Sequence, residues 1–439
     1  MAATPDRRSL RRALDGLALF QDVFDDAIGR AARALVAEPA QASAAKFVAL
    51  LIEEAELYPE ELVGDPWQNH LLDRILTSEN GFSRKAERAA PEEMGEGLLR
   101  QARHELGLLQ SLHREGGAVL GAVAYSALGE VSSGGWSGFR PLGDGPSLHS
   151  ADALAFKREL ADSADWPSLV PDLARVYSAN GVGIFGRYRA FRWVREGNRG
   201  SLVGVDRPDA TRLTELVGYE REREPVVKNA QRFAAGLPAN NVLLYGERGT
   251  GKSSTVKALL NEFGDQGLRL IEVAKEHLED FPDVMTLLRN RRERFMIYVD
   301  DLSFEEQETH YKSLKAVLEG SIEARPENIV LYATSNRRHL VRERFADREG
   351  AFDDDVFALD TLEEKLSLAD RFGIRVTFSS ADQDRFLKIV RSLAGGRGIS
   401  LPQDELDRRA LSWAQRQRGR SGRSARQFID ALVGELALP

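Results

Sequence analysis

The chain has 439 residues, of which 42% are hydrophobic and 29% are charged, and its formal net charge at pH 7 is -8. This composition is typical of a globular protein with two or three folding units, and it excludes a fibrous repeat and a wholly disordered chain. The absence of cysteine excludes disulfides, thiolate zinc sites and cysteine nucleophiles. Because no secretory signal pattern or apolar run of about eighteen residues occurs, we expect a cytoplasmic protein that has no membrane partner.

The first half of the chain is dominated by helical patterns. Residues 1–128 carry apolar positions at helical spacing, such as Leu10 and Leu14, and predict a mainly α-helical N-terminal domain. Residues 129–150 are dense in glycine and predict a linker or loop. Residues 151–205 combine helical patterns with two alternating runs, which predict a small segment ending in a β-hairpin.

The second half alternates short apolar runs with helical patterns. This alternation over residues 206–380 predicts an α/β core built on a parallel sheet. Residues 381–439 contain three further helical patterns and no convincing strand. They predict a helical lid.

One motif in the predicted core indicates chemistry directly. The strand-like run NVLLY leads into GERGTGKS and then into a helical pattern, which is the G-x-x-x-x-G-K-[ST] loop in its expected context. In such a loop backbone N–H groups and a helix N-terminus bind phosphates, Lys252 adds a positive charge and Ser253 binds Mg²⁺. The predicted nucleotide-binding residues here are Gly246, Glu247, Arg248, Gly249, Thr250, Gly251, Lys252, Ser253 and Ser254.

Two acids follow the next strongly apolar run, FMIYV. Asp300 is placed to bind the magnesium ion. Asp301 is placed to orient or deprotonate the attacking water, although the longer glutamate is more usual in this role. Glu305 and Glu306 are further candidates for the base, or they form the solvated acidic start of a helix.

The run NIVLYAT ends in Ser335 and Asn336, at the sheet edge where ligands of open α/β sheets bind. Asn336 either polarises the attacking water or caps the following helix. His277, His310 and His339 show no metal-ligand spacing, and no serine–histidine–acid set indicates a hydrolase triad.

The order of these motifs resembles that of AAA+ ATPases: GERGTGKS, FMIYVDD, YATSN, LADRFG and SGRSAR. More narrowly, runs such as NVLLYGERGTGKSSTVKALLNEF, DDLSFEE and LSLADRFGIRVTF closely resemble the bacterial AAA+ family known as domain of unknown function 815. The resemblance covers residues 206–438. It implies a five-stranded parallel sheet in the order 5-1-4-3-2, a helical lid, and ATP with Mg²⁺ as ligands.

The resemblance also implies roles for single residues. The segment that lies against adenine is matched by Leu216, Val217, Gly218 and Tyr219. Asn336 matches the first sensor. Arg371 matches the arginine finger that a subunit extends into its neighbour's site; the alternative is a helix-end arginine that pairs with Asp370.

In the last helix, Arg426 matches the second sensor, with Arg423 as the alternate. The leading hypothesis is therefore an ATPase that works at subunit interfaces of a homo-oligomeric ring, for example a hexamer, and remodels a protein client. A nucleic-acid loader is an alternative suggested by five arginines between Arg416 and Arg426. A slowly hydrolysing regulatory switch is another, suggested by the paired aspartates.

Overall fold

The structure is a computed structural model that describes residues 7–129, 136, 138–143, 149–197, 199–302, 326–336, 371–417 and 419–437. The chain divides into two compact units, Met1–Tyr188 and Arg189–Pro439. Each is described by itself.

The first unit is helical. Its helices are α1 (Arg7–Asp15), α2 (Ala27–Ala37), α3 (Gln41–Leu57), α4 (Pro66–Leu76), α5 (Gly81–Ala86), α6 (Glu96–Leu128), α7 (Ala151–Asp162), α8 (Val170–Asn180) and α9 (Gly183–Arg187).

The long helix α6 packs against α1, α2, α3 and α4. Trp67 of α4 is buried at this junction, and its indole N–H donates to the Leu112 carbonyl at 3.0 Å. A Cβ at Gly116 would lie 2.8 Å from the Trp67 ring nitrogen, so a residue without a side chain lets the two helices approach. Side-chain caps define helix starts here, as when Asp26 accepts the Gly29 N–H at the start of α2.

A charged network is buried in the same unit. Lys157 is 1% exposed and forms an ion pair with Asp73. Its ammonium also donates to Asn69 Oδ1 at 2.8 Å and to the Tyr58 hydroxyl at 3.0 Å. Although burial opposes ionisation of Asp73, its bonds to His149 and Lys157 lower the pKa of this carboxyl to about 2. The network ties α4 to α7.

The second unit is an α/β core followed by helices. Its strands are β1 (Ala190–Glu196), β2 (Arg199–Gly204), β3 (Val242–Gly246), β4 (Leu268–Glu272), β5 (Arg294–Val299), β6 (Ile329–Ser335) and β7 (Ile374–Phe378). Its helices are α10 (Glu220–Ala234), α11 (Lys252–Phe263), α12 (Phe281–Leu288), α13 (Gln383–Gly396), α14 (Gln403–Arg416) and α15 (Gly422–Ala437).

The strands form one sheet in the order β2-β1-β4-β5-β6-β3-β7. The predicted five-stranded sheet is therefore wrong, because the sheet has seven strands among the described residues. The hairpin β1–β2 is antiparallel, and β1 extends the sheet by pairing in parallel with β4. Phe191 and Trp193, two residues apart on β1, are both buried and give the strand an apolar face.

The remaining strands are parallel to their neighbours and run in the order β7-β3-β6-β5-β4. The expected 5-1-4-3-2 order thus describes only this part of the wider sheet. All of their carboxyl ends meet at one edge, where ligand sites of open α/β sheets form.

Helices α13, α14 and α15 pack on one another after β7. Buried residues such as Phe386 and Phe428 join this bundle to the hydrophobic core of the unit. Among the helices described in the chain, none combines the length and apolar character that a membrane span requires.

Candidate functional site

The glycine-rich loop lies at the carboxyl end of β3, and α11 begins directly after it at Lys252. Gly246 has a φ of +135°, and a Cβ there would overlap the Phe378 carbonyl of the neighbouring strand. Gly249 has a φ of +78°, and a Cβ there would lie 2.9 Å from Ser421 Oγ. Both positions therefore require glycine.

Lys252 is 5% exposed. Its ammonium donates to the carbonyls of Gly246 at 2.8 Å and Glu247 at 2.7 Å, and to Asn336 Oδ1 at 3.1 Å. Burial lowers the pKa of Lys252 to about 8, and the carboxylates of Asp301 and Asp300 oppose that shift. An anionic ligand beside this ammonium would raise the same pKa.

Asp300 follows β5 and faces the start of α11. Its Oδ1 accepts hydrogen bonds from Ser253 Oγ at 2.8 Å, from Thr334 Oγ1, and from the Asp301 N–H at 3.1 Å. Burial opposes ionisation of Asp300, but these hydrogen bonds, led by the one from Thr334, lower its pKa below the usual value. Asp300 is therefore an anion at neutral pH.

Asp301 has a left-handed backbone with a φ of +50°. Its N–H donates to Thr334 Oγ1 at 2.9 Å, and its Oδ1 accepts from the Asn336 amide. Asn336 contacts both Lys252 and Asp301, so it connects the glycine-rich loop with the acid pair. Glu305 and Glu306, the other predicted candidates for a base, lie outside the described residues.

These side chains line one cleft of about 630 Å³. Residues 248–254 form its floor, and Asp300, Asp301 and Asn336 form one wall. The predicted residues Gly246 and Glu247 lie at the end of β3; the N–H of Glu247 donates to the Phe378 carbonyl at 3.2 Å.

The opposite end of the cleft is apolar. Leu216 and Val217 face Ile389 and Leu393 of α13 across it. Gly218 packs against α13 instead, where a Cβ would lie 3.2 Å from Ile389 Cγ1. A flat aromatic ring fits between such apolar walls.

The start of α15 closes the cleft from the side. Arg426 and its predicted alternate Arg423 both line it. The backbone N–H of Arg423 also donates to the Gly249 carbonyl at 3.2 Å, which joins the helical segment directly to the glycine-rich loop. Both arginines therefore belong to the cleft that the glycine-rich loop lines.

Arg371 lies elsewhere. It is exposed and precedes β7, whose residues Ile374 and Phe378 pair with Val242 and Gly246 of β3. The loop follows the carboxyl end of these strands, whereas Arg371 precedes their amino end, a separation of at least about 13 Å. Arg371 is therefore outside the cleft of its own chain. Its predicted alternative partner, Asp370, is outside the described residues.

The oxygens of Ser253 and Asp300 fit a magnesium ion, which prefers hard oxygen ligands. No group of three or more histidine or acidic side chains in the described part of the chain could hold a metal by itself. Phosphate oxygens and water would therefore complete the shell, as is usual for Mg²⁺.

The sequence prediction missed Thr334 and the apolar residues of α13, whereas Leu216 was part of the segment predicted to lie against adenine. A signal for Thr334 was present, because residues two apart on a strand share a face and Thr334 precedes Asn336 by two. The α13 residues carry no such signal, since their position depends on how the helix packs.

The family model described as "Protein of unknown function (DUF815)" matches residues 186–436. The chain belongs to this family. The predicted membership is thus confirmed, and the match includes the hairpin β1–β2 as well as the glycine-rich loop and α15. No curated protein sequence matches this DUF815 chain.

Two solved structures show what the DUF815 chain is similar to. The RuvB Holliday junction branch migration motor of Thermotoga maritima is 14% identical, with a TM-score of 0.32 over 51% of this chain and 72% of that one. A Walker-type ATPase of Pyrococcus abyssi, PABY2304, is 16% identical, with a TM-score of 0.33 over 52% of this chain and 70% of that one. Because both scores are low, function is inferred from this chain's own residues.

Proposed function

We propose that the Arg189–Pro439 unit is an AAA+ module that binds and hydrolyses Mg-ATP. One observation carries this proposal: a single cleft brings together Lys252 of the glycine-rich loop, the Ser253–Asp300 pair and the Asp301–Asn336 pair. Each group is of the type that phosphoryl transfer requires.

Binding is assigned to the floor and the apolar end of the cleft. The N–H groups of residues 248–254 and the N-terminus of α11 attract the phosphates, and Lys252 contributes a full charge. Val217, Ile389 and Leu393, which line the apolar end of the cleft, would hold the adenine. Ser253 and Asp300 would hold Mg²⁺, which would neutralise charge at the phosphates.

Hydrolysis is assigned to the wall that holds Asp301. Its carboxylate and the Asn336 amide would orient a water molecule against the terminal phosphate. Asp301 would accept the proton as the water oxygen bonds to the terminal phosphorus, while the bond from that phosphorus to the bridging oxygen breaks and ADP leaves. Arg426 and Arg423 stabilise the negative charge on the phosphoryl group from the side of α15.

A second copy of the chain completes the site. Arg371 lies at the opposite end of the sheet from its own cleft, so it can act as an arginine finger only in the site of a neighbour. This arrangement supports a homo-oligomeric ring, for example a hexamer, in which ATP turnover drives the remodelling of a protein client.

The nucleic-acid loader has less support. Its motivation was the run of arginines in the lid, but these side chains have different partners. Arg416 bonds to Ser412 of its own helix, and Arg420 bonds to Gln383 of α13. Arg418 lies outside the described residues. Arg423 and Arg426 line the cleft. The four described arginines of the run therefore divide between helix contacts and the cleft, which gives little support to one basic surface that follows a phosphate backbone.

The test is the ATPase rate of Lys252→Ala, with Lys228→Ala as the matched control, since Lys228 is exposed on α10 and pairs only with Glu224 among the described residues. Loss of a buried cation from the phosphate site should lower turnover by about a hundredfold or more, while the control keeps the wild-type rate. An unchanged rate in Lys252→Ala overturns the proposal. Added DNA that stimulates the wild-type rate would favour the loader.

A further inference from the structure

Thr334 is a buried threonine of the YATSN run, for which the sequence predicted no role. It is 1% exposed and lies on β6, between the ends of β3 and β5. Its partner on β3 is Leu244, two residues before the glycine-rich loop begins. The side chain also lines the cleft.

A single residue, Thr334, holds the turn that follows β5. Its hydroxyl donates to Asp300 Oδ1 and accepts the N–H of Asp301 at 2.9 Å. The backbone carbonyl of Thr334 accepts the N–H of Leu302, the residue after Asp301, at 2.7 Å. Both the donor and an acceptor site of the hydroxyl are therefore used on the acid pair.

The geometry of the acid pair depends on this turn. Consecutive residues of an extended strand point to opposite sides, which would place Asp300 and Asp301 on opposite faces. The left-handed backbone of Asp301, disfavoured for a residue with a side chain, brings both carboxylates into one cleft. Asp300 then contacts Ser253, and Asp301 contacts Asn336.

We propose that Thr334 is a positioning residue, whose hydroxyl holds Asp300 toward the metal and Asp301 toward the attacking water. The inference rests on the proposed ATPase function and adds a residue to it. Thr334 is assigned no contact of its own with ATP or the ion. It acts through the two aspartates.

The test compares Thr334→Val and Thr334→Ala, which remove the hydroxyl, with Thr334→Ser, which keeps it. Binding of a fluorescent ATP analogue is measured in Mg²⁺ and in EDTA, together with ATP turnover and the melting temperature. The matched control is Thr286→Val, because Thr286 is exposed on α12 and bonds to its own helix at Pro282.

We expect the two variants without the hydroxyl to bind the analogue in EDTA within about twofold of wild type. The gain in affinity that Mg²⁺ gives to wild type should fall by about tenfold, since a hydrogen bond to a charged group is lost, and turnover should fall by at least as much. Thr334→Ser should restore both, and Thr286→Val should change neither.

The proposal is overturned if Thr334→Val or Thr334→Ala keeps the Mg²⁺-dependent gain and the turnover of wild type. It is also overturned if Thr334→Ser loses as much as Thr334→Ala, or if affinity falls equally in EDTA and in Mg²⁺. These outcomes differ from failure of the proposed function, in which wild type itself would show no Mg²⁺-dependent binding or turnover.

Discussion

His70 lies buried in the first unit between two carboxylates. Its Nδ1 is 2.8 Å from Glu54 Oε1, and its Nε2 is 3.2 Å from Asp26 Oδ2. Burial alone would lower the pKa of His70, but the hydrogen bonds to Asp26 and Glu54 outweigh it and raise the pKa to about 9. The imidazole is therefore charged at neutral pH.

This shift predicts how the stability of the first unit depends on pH. The pKa of His70 in the folded state is above its value of about 6.5 in an unfolded chain, so the stabilisation is complete below about pH 6.5 and is lost as the pH rises through about 9. Charged His70 therefore adds about 3 kcal/mol to the free energy of unfolding. Relative to His70→Gln, wild type should therefore lose most of its added unfolding free energy over this interval.

The measurement is denaturant unfolding from pH 6 to 10, followed by tryptophan fluorescence and by hydrogen exchange of α4. His104→Gln is the matched control, because His104 is exposed on α6 of the same unit, and its stability should stay parallel to that of wild type. A difference between wild type and His70→Gln that does not change with pH would contradict the assignment.

At the scale of single residues, much of the site was predictable from local sequence. The loop from Gly246 to Ser253 and the acid Asp300 follow apolar strands, and parallel strands bring such residues to one edge. The left-handed turn at Asp301 and its bonds to Thr334 were not predictable, because they depend on the separation of two strands that are distant in sequence.

At the scale of elements, α13 contacts Tyr219 and the first turn of α10, which begins directly after it. The guanidinium of Arg385 lies 4.4 Å from the centre of the Tyr219 ring and 3.0 Å from Glu222. Tyr219 in turn stacks on Phe378 at the end of β7. Lys388, one turn further along α13, forms a more exposed pair with Glu220 at 2.9 Å.

These two contacts predict unequal effects on nucleotide affinity. Arg385→Met should weaken binding of an ATP analogue severalfold, because α13 forms the apolar wall of the cleft and loses both an ion pair and a cation–π contact. Lys388→Met should change affinity by less than about twofold, since exposed ion pairs contribute little. Binding titrations and hydrogen exchange of α13 provide the check; equal effects of the two variants would contradict it.

The strands and helices could largely be predicted from the periodicity of apolar residues, but the order of the strands in the sheet could not. Alternation of apolar and polar residues in β1 and β2 predicted a hairpin. No local sequence feature predicts that β1 pairs with β4, which follows it by some 70 residues. The predicted order of five strands came from the family resemblance. That order does not include β1 and β2, which precede the glycine-rich loop in the chain and form one edge of the sheet.

At the scale of the whole molecule, the two units differ in what their sequences reveal. The family match spans nearly all of the Arg189–Pro439 unit, where the cleft lies. The Met1–Tyr188 unit was predictable as helical, because its apolar residues repeat at helical spacing. Its role was not predictable, since its buried charged groups support packing and carry no recognisable chemistry.

The central claim is that one ATP site is shared by two copies of the chain. Arg371→Ala should bind ATP with the affinity of wild type but turn it over slowly, because the arginine acts in a neighbour's cleft. Lys252→Ala should not hydrolyse ATP in its own cleft, but its Arg371 is intact and can act in the cleft of a neighbour. Arg232→Ala, which changes an exposed arginine of α10, is the matched control and should keep full activity.

Mixing the two inactive variants before assembly tests this claim most directly. We expect an equal mixture to recover up to about a quarter of the wild-type ATPase rate, because about one interface in four of a randomly mixed ring pairs an intact loop with an intact arginine. A mixture that assembles and remains as inactive as its components, or an Arg371→Ala protein with the full wild-type rate, would contradict it.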